Sequence, residues 1–134
     1  MKKLLVLILP AILMILISCG KEKETDRFTL ITAHVWASDS LLADGIDASG
    51  PGEPLEKFRG DATFNKDGTG TFGQYIGTWM LVDNDASLAI TSPDLPVPSI
   101  ATTIVELTST SLKVKFVWPQ QTGSLNIRMT FKPK

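Results

Sequence analysis

The chain has 134 residues, of which 43% are hydrophobic, 20% charged and 7% aromatic, and this length and composition predict one globular domain. Thirteen basic and 14 acidic residues give a formal net charge of −1, which does not indicate a nucleic-acid partner. The single cysteine excludes a disulfide scaffold, and the single histidine, His34, excludes a histidine dyad or a histidine-rich metal site.

The N-terminus has the organisation of an export signal. Lys2 and Lys3 precede a 14-residue apolar run (residues 4–17), and the small residue Ser18 precedes Cys19. As a helix the run would span about 21 Å, which is short of the roughly 30 Å hydrocarbon core of a bilayer. A cleaved signal peptide is therefore favoured over a transmembrane helix.

The residues Leu16-Ile17-Ser18-Cys19 resemble a bacterial lipobox. In signals of that kind the cysteine is acylated on sulfur, and cleavage leaves it as the first mature residue. The resemblance implies a signal peptide over residues 1–18 and an acyl chain such as palmitate on Cys19. An ordinary secretory signal with an incidental cysteine is the alternative. Two or three acyl chains anchor a protein stably, so we expect an outer-membrane lipoprotein, on the periplasmic face or at the cell surface.

Residues 19–27 combine the lipidated cysteine with a charged segment. The run from Lys21 to Arg27 contains no apolar residue, which predicts a solvated tether. The run also resembles, in part, a surface-export signal of Bacteroidetes lipoproteins, in which a lysine and acidic residues follow the cysteine. Lys23 interrupts the acidic residues here, and both interpretations stay open.

From Phe28 to Lys134 apolar and polar residues alternate with period two, which predicts strands with one buried and one wet face. Asp67-Gly68 is a strong hairpin signal, and Gly77 is interpreted as another break between strands. A short helical turn is predicted within residues 28–34, and residues 44–55 and 92–99 are predicted as looser connections. The predicted strands cover residues 35–42, 61–65, 71–76, 79–82, 88–91, 102–107, 111–118 and 125–132.

About eight short strands without a long helix indicate an all-β domain. Nearly every connection has the length of a hairpin, so neighbours in sequence should pair. This favours an antiparallel up-and-down barrel, because closure removes exposed edges. A β-sandwich is the alternative.

Several motifs in residues 28–134 resemble the lipocalin-like domains of Bacteroidetes lipoproteins. These domains typically show an early tryptophan, a Phe…Asp-Gly-Thr hairpin and a Gly-Thr-Trp strand start. The matching residues here are Trp36, Phe64, Asp67-Gly68-Thr69, Gly77-Thr78-Trp79 and the later apolar positions Ile104, Leu107 and Leu112. The resemblance implies a lipocalin-like β-barrel over residues 28–134, although lipocalins carry glycine where this chain has His34.

The sequence contains no motif for catalysis, a cofactor or a metal. His34 has no partner cluster, and no serine lies in a Gly-x-Ser-x-Gly elbow. Gly68-Thr69-Gly70 opens a strand rather than a phosphate-binding helix. The acidic turn at residues 83–85 lacks the bidentate glutamate of a calcium loop. We therefore predict no enzyme activity, no cofactor and no metal site.

The large apolar side chains pose the main functional question. Burying each stabilises the fold by about 1.5–3 kcal/mol, so a filled core explains them, but an eight-stranded barrel can also hold one small ligand. The candidate ligand-lining residues are Trp36, Trp79, Phe116, Trp118, Met129 and Phe131.

The proline-rich connection supplies a second candidate. Leu95, Val97 and Ile100 lie among three prolines, in a candidate lid or docking loop. The alternative is a stiff connection whose apolar residues pack on the barrel. The predicted function is non-enzymatic binding of a small hydrophobic ligand. The second hypothesis is a scaffold with a filled core that binds a protein or glycan of the cell envelope.

Overall fold

The computed structural model describes residues 26–134, so the predicted signal peptide, Cys19 and most of the predicted tether lie outside the described residues. None of the helices in this range is long and apolar enough to cross a membrane. The elements are α1 (Arg27–Thr32), β1 (Trp36–Ala43), β2 (Ile46–Asp47), a 3-10 turn (Glu56–Phe58), β3 (Asp61–Phe64), β4 (Thr69–Phe72), β5 (Tyr75–Val82), β6 (Ser87–Thr91), β7 (Ser99–Leu107), β8 (Leu112–Pro119) and β9 (Ser124–Pro133).

Eight of these strands close into one antiparallel barrel. From β3 to β9 each strand pairs with the next in sequence, and β1 completes the circle by pairing with both β3 and β9. The two-residue β2 pairs with the end of β1. This closed sheet confirms the predicted up-and-down barrel, and it excludes the sandwich, which needs two separate sheets.

The alternation of side chains in β8 and β9 shows how the sequence specifies the inside of the barrel. Successive side chains of a strand point to opposite faces, and the apolar set of each strand points inward. The inward residues of these two strands with at most 9% exposure are Leu112, Val114, Phe116, Ile127, Met129 and Phe131.

The predicted break at Gly77 is wrong. The chain turns at residues 73–74, and β5 runs through Gly77, so the predicted strand over residues 71–76 is divided between β4 and β5. A Cβ at position 77 would overlap the carbonyl oxygen of Thr91 and would lie 2.9 Å from Cα of Ser92. Gly77 therefore serves a close backbone approach inside the sheet, not a turn.

One end of the barrel, which we call the helix end, is closed by α1, as the predicted helical turn suggests. Ile31 and Trp36 are fully buried, and the indole N–H of Trp36 donates to the carbonyl oxygen of Ile31 at 3.0 Å. Phe28 stacks on Trp79 with ring centroids 5.6 Å apart. The hydrogen bond and the stacked rings fix α1 over the opening.

The opposite end, which we call the rim, carries the β1–β3 connection, the turn at residues 73–74, the loop at residues 92–98 and the turn at residues 120–123. The β1–β3 connection is more ordered than its glycine- and proline-rich sequence predicts. Leu55 and Phe58 are at most 2% exposed. The backbone N–H of Gln74 donates to the carbonyl oxygen of Lys57 at 2.7 Å. The connection therefore closes the rim.

Candidate functional site

The interior of the barrel has almost no free space. A void of about 10 Å³ is lined only by apolar side chains, among them Ala62, Val114 and Met129. This is about the smallest space that can hold one water molecule, whereas ligand pockets have volumes of roughly 300–1,000 Å³. The interior of this structure is therefore a packed core.

The six predicted ligand-lining residues do not share one cavity. Met129 and Phe131 line the interior void. Trp36 and Trp79 are buried, and the indole N–H of Trp79 donates to the carbonyl oxygen of Asn65 at 2.9 Å. These tryptophans hold the helix end together, and Trp79 also lines an open concavity of about 330 Å³ with Phe28 and Met80.

The other two predicted ligand-lining residues, Phe116 and Trp118, meet part of the predicted lid loop. A groove of about 150 Å³ at the rim is lined by both of them, together with Val97 and Ile100. We call this the apolar groove. Leu95 is 8% exposed and Ile100 is 6% exposed, so both pack into the core. Only Val97 of the predicted loop residues is partly exposed.

Trp118 also forms part of a second rim groove, which has a volume of about 370 Å³. We call it the acidic groove, because three carboxylates and one amino group line it. Its polar and aromatic lining residues are Glu53, Glu56, Lys57, Tyr75, Asp94 and Trp118. The partly exposed indole of Trp118 is therefore a wall shared by two grooves of different polarity.

Aromatic packing fixes the position of this indole. The ring of Phe58 contacts Trp118 edge to face at a centroid distance of 6.3 Å, and Phe116 lies 6.1 Å away. Phe58 also contacts Tyr75 at 4.8 Å. Such pairs stabilise a defined ring geometry. These contacts hold the Trp118 ring in a defined orientation between the two grooves.

The proline-rich loop is fixed to β5 by Ser92. The Ser92 hydroxyl donates to the carbonyl oxygen of Ile76 at 2.9 Å and accepts the backbone N–H of Asp94 at 3.3 Å. This bond sets Asp94 at the edge of the acidic groove. Burial raises the pKa of Tyr75, and the negative charge of Asp94 raises it further. The phenol therefore stays protonated and can donate a hydrogen bond.

Sequence reasoning missed Tyr75, Asp94 and the β1–β3 connection as parts of a site. Tyr75 and Asp94 come together because β5 pairs with β6, and the β1–β3 connection reaches them through the hydrogen bond from Gln74 to Lys57. One signal was available, because Tyr75 has the same strand parity as Trp79 and must therefore face the same side. Tyr75 and Trp79 share one strand only if the turn lies at residues 73–74 and not at Gly77.

Within residues 26–134, no group of three or more His, Cys, Asp or Glu side chains is placed to hold a metal ion. The lone His34 is exposed and contacts the Trp36 ring edge to face at 5.6 Å. The described geometry defines a closed antiparallel β-barrel with a packed interior and a grooved rim. Comparisons with protein-family models and with curated proteins found no match to this chain.

Proposed function

We propose that this protein is a non-enzymatic binding module of the bacterial cell envelope that holds its ligand outside the barrel, at the Trp118 rim. The observation that carries this proposal is the contrast between the interior void of about 10 Å³ and the acidic groove of about 370 Å³. The lipobox resemblance supports an anchor on Cys19. Asp26 precedes α1, so the chain enters the barrel at the helix end, opposite the rim.

The lining of the acidic groove favours a glycan as the ligand. The carboxylates of Glu53, Glu56 and Asp94 accept hydrogen bonds, which suits sugar hydroxyl groups. The flat face of Trp118 suits the C–H face of a sugar ring, and its rigidity lowers the entropy cost of binding. The combination of one fixed aromatic face and several acceptors is the arrangement that a neutral oligosaccharide needs.

Trp118→Ala tests this proposal in the full chain in detergent micelles. The probes are soluble tetrasaccharides of glucose, xylose and N-acetylglucosamine, and the readout is calorimetric titration. We expect one of them to bind wild type and the variant to lose at least about ten-fold in affinity, as for a central aromatic contact. Phe28→Ala removes an aromatic ring that is 41% exposed at the helix end, and it should bind as wild type does.

If a purified envelope protein binds wild type but not Trp118→Ala, the ligand of this rim is a protein and not a glycan. If neither class of ligand binds, or if Phe28→Ala weakens binding equally, the rim proposal is contradicted.

The wholly apolar lining of the interior void favours a second candidate, a small hydrophobic ligand inside the barrel. This requires the packed side chains to move apart. Stoichiometric binding of an environment-sensitive fatty-acid probe, displaced by competitors, would support it. The absence of saturable binding to lipids, haem and bile acids would contradict it.

Anchoring and location are tested in cells. In wild type, labelled palmitate should enter the protein and should not enter Cys19→Ser. Protease added to intact cells should remove the barrel if it lies at the surface, whereas full protection would indicate the periplasmic face.

A further inference from the structure

A separate concavity lies on the outer wall of the barrel and crosses β7, β8 and β9. Its volume is about 430 Å³. The lining side chains on the outer face of the sheet, all of them exposed, are Thr103, Lys115, Val117, Asn126 and Arg128. It adjoins the apolar groove along β8 but lies on the opposite face of the sheet from the packed core.

Lys115 and Arg128 are direct cross-strand partners in this concavity. On β7, Thr103 is the cross-strand partner of Lys115. One hydroxyl and two cations therefore form a row across β7, β8 and β9. Like charges directly opposite each other destabilise a sheet. The stability of the barrel therefore does not explain why these two residues face each other.

The neighbouring cations differ from this pair because each has a carboxylate beside it. The ion pairs are Lys113–Glu106 at 3.8 Å, Lys132–Asp39 at 3.6 Å and Lys134–Asp61 at 2.8 Å. In the part of the chain that the structure describes, Lys115 and Arg128 have no carboxylate within 4.0 Å. The carboxylate of Asp44 on the neighbouring turn already accepts the backbone N–H of Asn126 at 2.9 Å.

The donor set of this row matches a phosphate group. The planar guanidinium of Arg128 presents parallel N–H donors that fit two phosphate oxygens, and Lys115 adds a point charge. Thr103 and Asn126 place a hydroxyl and an amide at the edges of the same concavity. The nine basic and 12 acidic residues of the described range give it a net charge of −3, so this basic row stands out against the sign of the whole domain.

We propose that Lys115 and Arg128 form a binding site for a phosphate group. The bound anion would lie between the two cations and would cancel their repulsion. The same chemistry serves a free phosphate and the phosphate ester of a lipid headgroup. This site shares no charged residue with the Trp118 rim, so either proposal can fail without the other.

The test uses the full chain in micelles of dodecyl maltoside, a neutral detergent without phosphate. The two probes are inorganic phosphate and dihexanoylphosphatidylglycerol, and the readout is the NMR signal of the backbone amides at positions 115 and 128. We expect saturable shifts in wild type. Lys115→Gln and Arg128→Gln should each weaken binding by about ten-fold, because each removes charge-assisted hydrogen bonds.

Two matched variants remove the same charge elsewhere. Arg59→Gln alters the β1–β3 connection, Lys66→Gln alters the helix end, and both should bind as wild type does. Thermal unfolding separates loss of binding from loss of fold, because neutralising Lys115 or Arg128 removes a repulsion and should leave Tm unchanged or raise it.

The responses to the two probes distinguish a free phosphate from a lipid headgroup. A response to inorganic phosphate supports a site for the phosphate group itself, and a response to the phosphatidylglycerol alone supports a lipid headgroup. No response to either probe overturns the proposal. Equal weakening in the matched variants also overturns it, because attraction by overall charge would then suffice.

Discussion

At the scale of single residues, Gly77 shows how one missing side chain allows two strands to approach. We predict that Gly77→Ala lowers the free energy of unfolding by about 1–3 kcal/mol, because the added methyl group meets the backbone of β6. Gly50→Ala is the matched control, since its Cβ would meet only the flexible Cγ of Glu53 at 3.7 Å. Urea denaturation measures both variants. Equal stability of the two would contradict the close approach.

Gly77 also shows what the sequence reveals about single residues. A glycine within a run of strand-forming residues fits either a turn or a strand with a close neighbour, and that neighbour lies on β6, 14 residues away in sequence at Thr91. The inward direction of Met129 and Phe131 is different, because it follows from local alternation alone. Whether inward residues leave a cavity depends on the summed volumes from all eight strands, which no local pattern contains.

At the scale of elements, the β3–β4 hairpin is specified locally and was predictable for that reason. The side chain of Asp67 accepts hydrogen bonds from the hydroxyl and the backbone N–H of Thr69, at 2.7 and 3.0 Å. Gly68 has a φ of 93°, which glycine adopts without strain. The β1–β3 connection is the opposite case. Its buried residues Leu55 and Phe58 follow no hydrophobic period, and they are buried because they cover the rim of the barrel.

The hairpin gives a prediction about pH. The hydroxyl of Thr69, followed by its backbone N–H, holds the pKa of Asp67 below its usual value. A lowered folded-state pKa stabilises the fold above the unfolded-state pKa, and this stabilisation is lost as the pH falls through the folded-state pKa. We therefore expect Asp67→Ala to lower Tm at neutral pH, and the difference from wild type to shrink below about pH 4.

Asp67→Asn is the control for this titration. It keeps an oxygen that accepts the same hydrogen bonds, but it cannot ionise. Its Tm difference from Asp67→Ala should therefore stay constant from neutral to acidic pH in scanning calorimetry. If the Tm difference between wild type and Asp67→Ala is also independent of pH, the role of the ionised carboxylate is contradicted.

At the scale of the whole molecule, the barrel is closed at both ends and filled between them. α1 covers the helix end through Ile31, and the β1–β3 connection covers the rim through Leu55 and Phe58. To hold a ligand inside the barrel, one of these two ends would have to open and the core side chains would have to move apart. A filled barrel instead provides a rigid support on which rim and wall residues are held for recognition.

A pair of identical substitutions distinguishes a filled barrel from a container. Ala62 is 2% exposed and lines the interior void of about 10 Å³, whereas Ala101 faces outward on β7. Ala62→Ile adds three carbon atoms where this void has no room for them, so we expect it to cost about 1–3 kcal/mol of unfolding free energy. Ala101→Ile adds the same atoms on an exposed strand position and should change stability by less than about 0.5 kcal/mol. Chemical denaturation of both variants gives the comparison. If Ala62→Ile is as stable as Ala101→Ile, the interior has space to spare, and a ligand inside the barrel becomes the better explanation of the apolar residues that line it.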